Sequence, residues 1–217
     1  MREELTLAEI KYFGHSCFYI KGKEFSVVTD PFSGIGYEMP KITADYCTVS
    51  HGHFDHAATD KVNARVIKGE NAAFTGEKLP FTAIKTYHDN EKGALRGVNY
   101  AFKFCLDGVT FCHLGDLGEK FSEEAAKKIG NTDVLFIPVG GNYTVDGEQA
   151  EKFARAIDPY IIIPMHYKTP RSKIDISAAD DFCSRFNAVI KKDDEISIEK
   201  ADLKEKLTVW LLDSSNF

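Results

Sequence analysis

The strongest constraint in this sequence is a largely apolar run, Ala44 to Val49, that ends in a crowd of ionisable donors. The run reads as a strand, and the segment just beyond it is His51-Gly52-His53-Phe54-Asp55-His56. Three of the chain's seven histidines therefore fall within six residues, with an aspartate among them. At a spacing of two, His51 and His53 project to one side of an extended chain, and a turn after them brings Asp55 and His56 round from another direction. Four such donors are costly to bury together unless a cation pairs them. Imidazole nitrogen and carboxylate oxygen suit zinc, iron(II) or manganese, and the absence of thiolate partners favours a catalytic over a sealed structural site. The bland alternative is a solvated polar loop, or a metal site with no chemistry.

Four donors from one loop cannot fill two coordination spheres, so the other strand ends matter. His88 follows the candidate strand Thr82 to Tyr87, and His166 follows Tyr160 to Met165. Asp116 follows Val109 to His113 through Leu114-Gly115. Carboxyl ends of strands are where sites assemble in layered α/β proteins. Each residue is weak alone, because a lone histidine after a strand is more often a satisfied surface or core residue and a lone Gly-Asp is usually a turn.

The remaining pattern sets the fold class. The first third reads as short strands over Leu7 to Phe13, Cys17 to Ile20 and Glu24 to Thr29, the last stopped at Asp30-Pro31 because proline cannot extend the ladder. Ala64 to Ile67 is a further strand, and Asn99 to Leu106 with Val109 to His113 forms a hairpin around Asp107-Gly108. Strands and helices then alternate. Helices are predicted over Ser122 to Ile129, Asp146 to Ala156 and Ser177 to Phe186, and strands over Asp133 to Val139, Tyr160 to Met165, Glu195 to Glu199 and Leu207 to Leu212. Antiparallel strands followed by alternation predict a layered α/β domain. Neither an internal repeat nor a Gly/Ser/Pro-rich linker appears, so residues 1–217 are read as one domain.

Composition narrows the function classes. Hydrophobic residues at 43% and charged residues at 28% describe an ordinary globular chain, and no window approaches the roughly 18 apolar residues of a spanning helix. Residues Met1 to Thr6 lack the pattern of a signal peptide, so a cytoplasmic location is expected. A net charge of −6 with scattered basic residues disfavours nucleic acid as a partner. The five cysteines are odd in number and never spaced C-x-x-C, which predicts reduced thiols used as small hydrophobes.

With these elements placed, the segment His51 to His56 resembles the H-x-H-x-D-H motif of the metallo-β-lactamase superfamily. Asp30, His88, Asp116 and His166 occur in the order that family shows. The resemblance runs from about Gly14 to Thr169. Gly14-His15-Ser16, His113-Leu114-Gly115-Asp116, Pro138-Val139-Gly140-Gly141-Asn142-Tyr143-Thr144 and Pro164-Met165-His166-Tyr167 are more narrowly similar to uncharacterised metal-dependent hydrolases akin to ascorbate-6-phosphate lactonases.

That resemblance implies an αββα sandwich, with two mixed sheets flanked by helices. It also implies two divalent ions, with zinc favoured and manganese or iron as alternatives. His51, His53 and His88 would hold one ion; Asp55, His56 and His166 would hold the other; Asp116 would bridge them. Asp55 and Asp116 are then the catalytic carboxylates, and a shared hydroxide attacks an ester, lactone or phosphodiester of a small, anionic substrate. Asp30 is expected behind the ligands, fixing an imidazole tautomer. His15 and His113 are expected there too or against substrate, with plain packing as the alternative. Asn142, Tyr143 and Lys168 are candidate substrate contacts; the loop carrying the first two reads equally as a strand-to-helix turn, and Lys168 equally as a solvated charge. A homo-oligomer is compatible with the chain, and no membrane partner is expected. Two rival readings are a metal-binding sensor without turnover and a nuclease of the same superfamily. A di-iron oxidoreductase is disfavoured, because that group has a glutamate where this chain has His53.

Overall fold

The computed structural model describes residues 8–69 and 78–213. Its strands are β1 (Ala8–Gly14), β2 (Cys17–Lys21), β3 (Ser26–Thr29), β4 (Ile42–Val49), β5 (Val62–Lys68), β6 (Thr82–Tyr87), β7 (Val98–Leu106), β8 (Val109–His113), β9 (Val134–Pro138), β10 (Ile161–Met165), β11 (Val189–Lys192), β12 (Glu195–Ile198) and β13 (Thr208–Leu212). The helices are α1 (Glu123–Ile129), α2 (Gly147–Ile157) and α3 (Asp180–Cys183).

Two mixed sheets result. One has the order β12-β1-β2-β3-β4-β5 and the other β11-β13-β10-β9-β8-β7-β6. Period-two alternation explains how the first sheet buries both faces. Tyr12, Phe18, Ile20, Val27 and Tyr46 point into the main core shared with the second sheet, where the Phe18 and Phe136 rings lie 4.5 Å apart. Their neighbours Phe13, Cys17, Val28 and Cys47 point outward into a separate cluster. No helix lies over that outer cluster among the described residues. It is covered by the irregular crossover from β3 to β4, whose Phe32, Ile35, Tyr37 and Met39 are all buried. The helices pack instead with the seven-stranded sheet, and every residue of β9 and β10 is buried.

Local chemistry sets the element ends. The Asp107-Gly108 turn takes positive φ at both residues (51° and 80°), as a two-residue hairpin requires. Ser122 and Asp146 cap α1 and α2 by accepting the backbone N–H groups of Ala125 and Gln149. The helix expected over Ser177 to Phe186 shrinks to α3, because the Ser177 backbone is engaged elsewhere: its N–H donates to Gly140 and its carbonyl accepts from Lys168. Strand β11 was not anticipated, since Val189-Ile190 is a short exposed pair on an edge strand. Leu7 lies outside the described residues. Cys17, Cys47 and Cys112 are buried as expected of small hydrophobes, whereas Cys105 is exposed. No helix among the described residues is long and apolar enough to cross a membrane.

Strand direction decides where chemistry gathers. In the first sheet β1 is antiparallel to β2, β2 to β3, and β3 parallel to β4, so β1, β3 and β4 run the same way. In the second, β6, β8, β9 and β10 likewise share one direction. His15 follows β1, Asp30 follows β3, the histidine loop follows β4, His88 follows β6, Asp116 follows β8 and His166 follows β10. Six carboxyl ends therefore deliver these residues.

Candidate metal centre

Two groups of donors, with a third set of His51, His56 and Asp116 linking them, assemble where the two sheets meet. His51, His53 and His88 form one group, and His15, Asp55, His56 and His166 form the other, each with ligand atoms within 4.8 Å of one another. Asp116 lies between them. Its Oδ1 is 3.0 Å from His56 Nε2, and its Oδ2 is 3.3 Å from His88 Nε2, 3.4 Å from His166 Nε2 and 3.8 Å from His51 Nε2. In the first group, His51 Nε2 and His53 Nδ1 are 3.1 Å apart.

One carboxylate orders the loop after β4. Asp30 is fully buried and accepts from the backbone N–H of Ser50 (2.8 Å), from Ser50 Oγ (2.6 Å) and from His56 Nδ1 (2.9 Å). His56 donates through Nδ1, which leaves its Nε2, facing Asp116, as the atom an ion would bind. With its proton given to Asp30, Ser50 Oγ accepts from His51 Nδ1 at 2.9 Å, which frees the lone pair of His51 Nε2. Asp30 thus sets two tautomers, one directly and one through a hydroxyl.

The second sheet uses other anchors. Asp116 receives its position from Asn99, whose Oδ1 accepts the Asp116 backbone N–H at 2.9 Å while its Nδ2 donates to Leu114 and Thr86. Gly115 is required there: its φ is 55°, and a Cβ would sit 2.4 Å from Asn99 Oδ1 and 2.5 Å from Ser50 Cβ. Beyond His88, the buried Asp89 carboxylate accepts four backbone N–H groups, from Glu91, Gly93, Leu95 and Arg96, which folds that loop around one side chain. His166 is tied to β1, its N–H donating to the His15 carbonyl at 2.9 Å. His15, Asp30, Asn142 and His166 all adopt left-handed backbone, φ 38° to 58°, an uncommon conformation outside glycine that concentrates at functional sites.

Electrostatics fit cation binding. Burial pushes the His15 and His51 imidazoles down to about 4 and about 3, so both are neutral and carry a lone pair at neutral pH. Asp30 and Asp116 stay ionised, because surrounding imidazoles outweigh the burial that would raise them. Asp55 is also held below the usual range, burial being overcome by the adjacent His15 and His56. His56 is raised: burial lowers it, and Asp116 and Asp30 outweigh that. The most telling contact is between His56 Nε2 and Asp116 Oδ1, buried atoms 3.0 Å apart. With its pKa raised, His56 pairs with Asp116 as an imidazolium, and an ion bound at about 2.0–2.2 Å would take that proton's place between the same two atoms.

The other expected residues are placed differently. His113 is fully buried, its Nε2 donates to the Ser16 carbonyl and its Nδ1 accepts from Gly115, so it braces the β1–β2 turn and the turn before Asp116. Asn142 is exposed and its amide donates to the Asp175 carbonyl, while Tyr143 is 37% exposed beneath the Arg96 guanidinium. Lys168 donates to the Ile174 carbonyl and lines a cleft of about 650 Å³ whose walls include none of the donor residues. Sequence reasoning missed Ser50, Asn99 and Asp89. Ser50 stands next to the motif, but the carboxylate it meets, Asp30, lies 20 residues away.

A two-sheet α/β sandwich with a His- and Asp-rich centre at its strand ends defines a metallohydrolase-type scaffold. The chain belongs to the β-lactamase superfamily: residues 9–166 match the family described as the Beta-lactamase superfamily domain. Among its relatives, a metal-dependent hydrolase of Thermoplasma acidophilum is 30% identical over 83% of this chain and 90% of its own length. One from Carboxydothermus hydrogenoformans is 28% identical over 84% of this chain and 95% of its own. A solved structure from Thermotoga maritima, assigned to the Zn-dependent hydrolases of the metallo-β-lactamase superfamily, is 32% identical with a TM-score of 0.74, covering 95% of this chain and all of that one. The fold is accordingly the metallo-β-lactamase sandwich of two mixed sheets that the resemblance implied.

Proposed function

We propose that this chain, a metal-dependent hydrolase of the metallo-β-lactamase superfamily, works with two divalent ions and cleaves an ester, lactone or phosphodiester bond in a small, anionic molecule. The observation that carries the reading is Asp116, whose two oxygens reach imidazoles of both donor groups within 3.0–3.8 Å. His51, His53 and His88 would hold one ion, and Asp55, His56 and His166 the other. Bound there, divalent ions acidify a water from a pKa of 15.7 towards ~7 and polarise the substrate's carbonyl or phosphoryl oxygen.

The protein's own work is positional. Asp116 fixes the spacing of the two groups, and Asp30 orients His51 and His56 so that Nε2 of each faces the centre. Burial of Asp30, His56 and Asp116 excludes bulk water from the inner side. Tyr143, exposed on the loop after β9, is the substrate contact retained from the sequence, whereas Asn142 holds the loop's shape and Lys168 serves the neighbouring cleft.

The test is a screen of lactones, aryl esters and bis-aryl phosphodiesters with zinc and with manganese, on the wild type and on His53→Ala. The expected result is about two ions per chain and turnover that falls more than about 100-fold in the variant, beyond the 10- to 100-fold effect of a supporting partner. Wild-type turnover in folded His53→Ala would remove the histidine loop from the mechanism.

A further inference from the structure

The two donor groups are unequal. One holds three imidazoles and the other three imidazoles with a carboxylate, because His15 joins it from β1. His15 Nε2 lies 3.3 Å from Asp55 Oδ2, yet it makes no hydrogen bond and is buried. Its ring stands 4.3 Å from that of His166 and 4.9 Å from that of His56. The chain goes to some length to hold it there. His15 has φ 56°, follows Gly14 at φ 98°, and its carbonyl is gripped by the Tyr12 hydroxyl at 3.0 Å and the His166 N–H at 2.9 Å. A histidine kept only for packing would leave a partnerless buried nitrogen with nothing to offset its lost hydration. A lone pair aimed at the point where Asp55, His56 and His166 converge removes that difficulty.

We propose that His15 is itself a ligand of the second ion, so that this ion takes His15, Asp55, His56, His166 and Asp116 while the first takes His51, His53, His88 and Asp116. The inference rests on the two-ion reading and extends it to metal choice. Four donors, three of them imidazoles, suit zinc, which can take a water as a fifth ligand. Five donors that include two carboxylates favour an ion tolerant of five or six ligands, manganese(II) or iron(II), because geometry rather than raw affinity sets selectivity among these metals. The protein would then be a mixed-metal enzyme by construction.

The experiment uses metal-free full-length protein reloaded with zinc, manganese or cobalt(II), comparing the wild type with His15→Ala and His15→Gln. The glutamine variant keeps a polar group of similar reach without an imidazole nitrogen, which covers the case in which alanine impairs folding. The expected result is two ions per wild-type chain and loss of one in both variants, with manganese affinity of the second site reduced at least 10- to 100-fold. Cobalt(II) absorption of the second ion should intensify in any variant that retains it, since a lower coordination number strengthens those bands, and added imidazole should restore manganese binding to His15→Ala. If His15 merely donates a hydrogen bond to Asp55, His15→Gln will keep both ions with wild-type manganese affinity and an unchanged cobalt spectrum, and the proposal falls. A wild-type chain that takes up only one ion would overturn the two-ion reading instead. His15 would then be judged on that ion alone, a spectrum unaltered by substitution overturning the ligand role too.

Discussion

The two sheets furnish the centre in contrasting ways. The six-stranded sheet delivers most of its donors in one burst after β4, stiffened by Asp30 beneath it. The seven-stranded sheet delivers His88, Asp116 and His166 singly, from three strands, each with a separate anchor. A burst shares one brace, so a single buried carboxylate controls several ligands. Dispersed donors need one brace each, and damage to any one stays local.

The widest effect is expected where the two deliveries meet. Asp116→Ala removes the carboxylate whose two oxygens reach imidazoles of both sets and should empty both ion sites, with activity on any substrate found falling more than about 100-fold, as metal analysis and turnover would show together. Loss of one ion alone would mean that the two deliveries work independently.

Next in size is the shared brace. Asp30→Asn keeps the shape but offers an amide nitrogen where two donors now point, so affinity at both ion sites should drop about 10- to 100-fold in metal titrations. The matching change across the interface is Asn99→Ala. It leaves the Asp116 N–H without its buried acceptor at a cost of about 1–3 kcal/mol, or a fall in Tm of about 2–12 °C, visible by calorimetry on metal-free protein. If Asn99→Ala disturbed the His51 group as strongly as Asp30→Asn, local bracing of the second sheet would be wrong.

The smallest expected effect concerns the loop after His88. Burial would raise the Asp89 carboxyl, but four backbone donors bring it from 3.8 to about 2. Its folded value lies below the unfolded one, so its contribution is complete above pH 4 and is lost as pH falls towards 2. Amide exchange at Glu91, Gly93, Leu95 and Arg96 should accelerate in that window, and Asp89→Asn should show fast exchange already at neutral pH.

The same contrast explains what could be read from the sequence. The burst was legible because chance rarely sets four donors in six positions, and the strands were legible because alternation and turn residues are local signals. His88, Asp116 and His166 gained meaning only through their order, since one residue after a strand looks like any other. Ser50 and Asn99 were illegible for a further reason. Their partners lie 20 and 17 residues away, and a serine or asparagine in a strand context carries no mark of the carboxylate or amide it will meet. The short α3 failed for the mirror reason: its residues favour a helix locally, but Ser177 is claimed by Gly140 and Lys168.

The crossover from β3 to β4 has a practical consequence. It covers the outer face of the six-stranded sheet without a helix's internal hydrogen bonds, begins directly at Asp30, and holds the histidine loop through Pro31 to Ala58 and Ser33 to Phe54. Segments with few backbone bonds of their own are the first to open. When this one opens, the brace and the loop loosen together. Protease nicking between residues 31 and 41 is therefore expected to slow when ions are bound, a change readable on a gel without any substrate in hand.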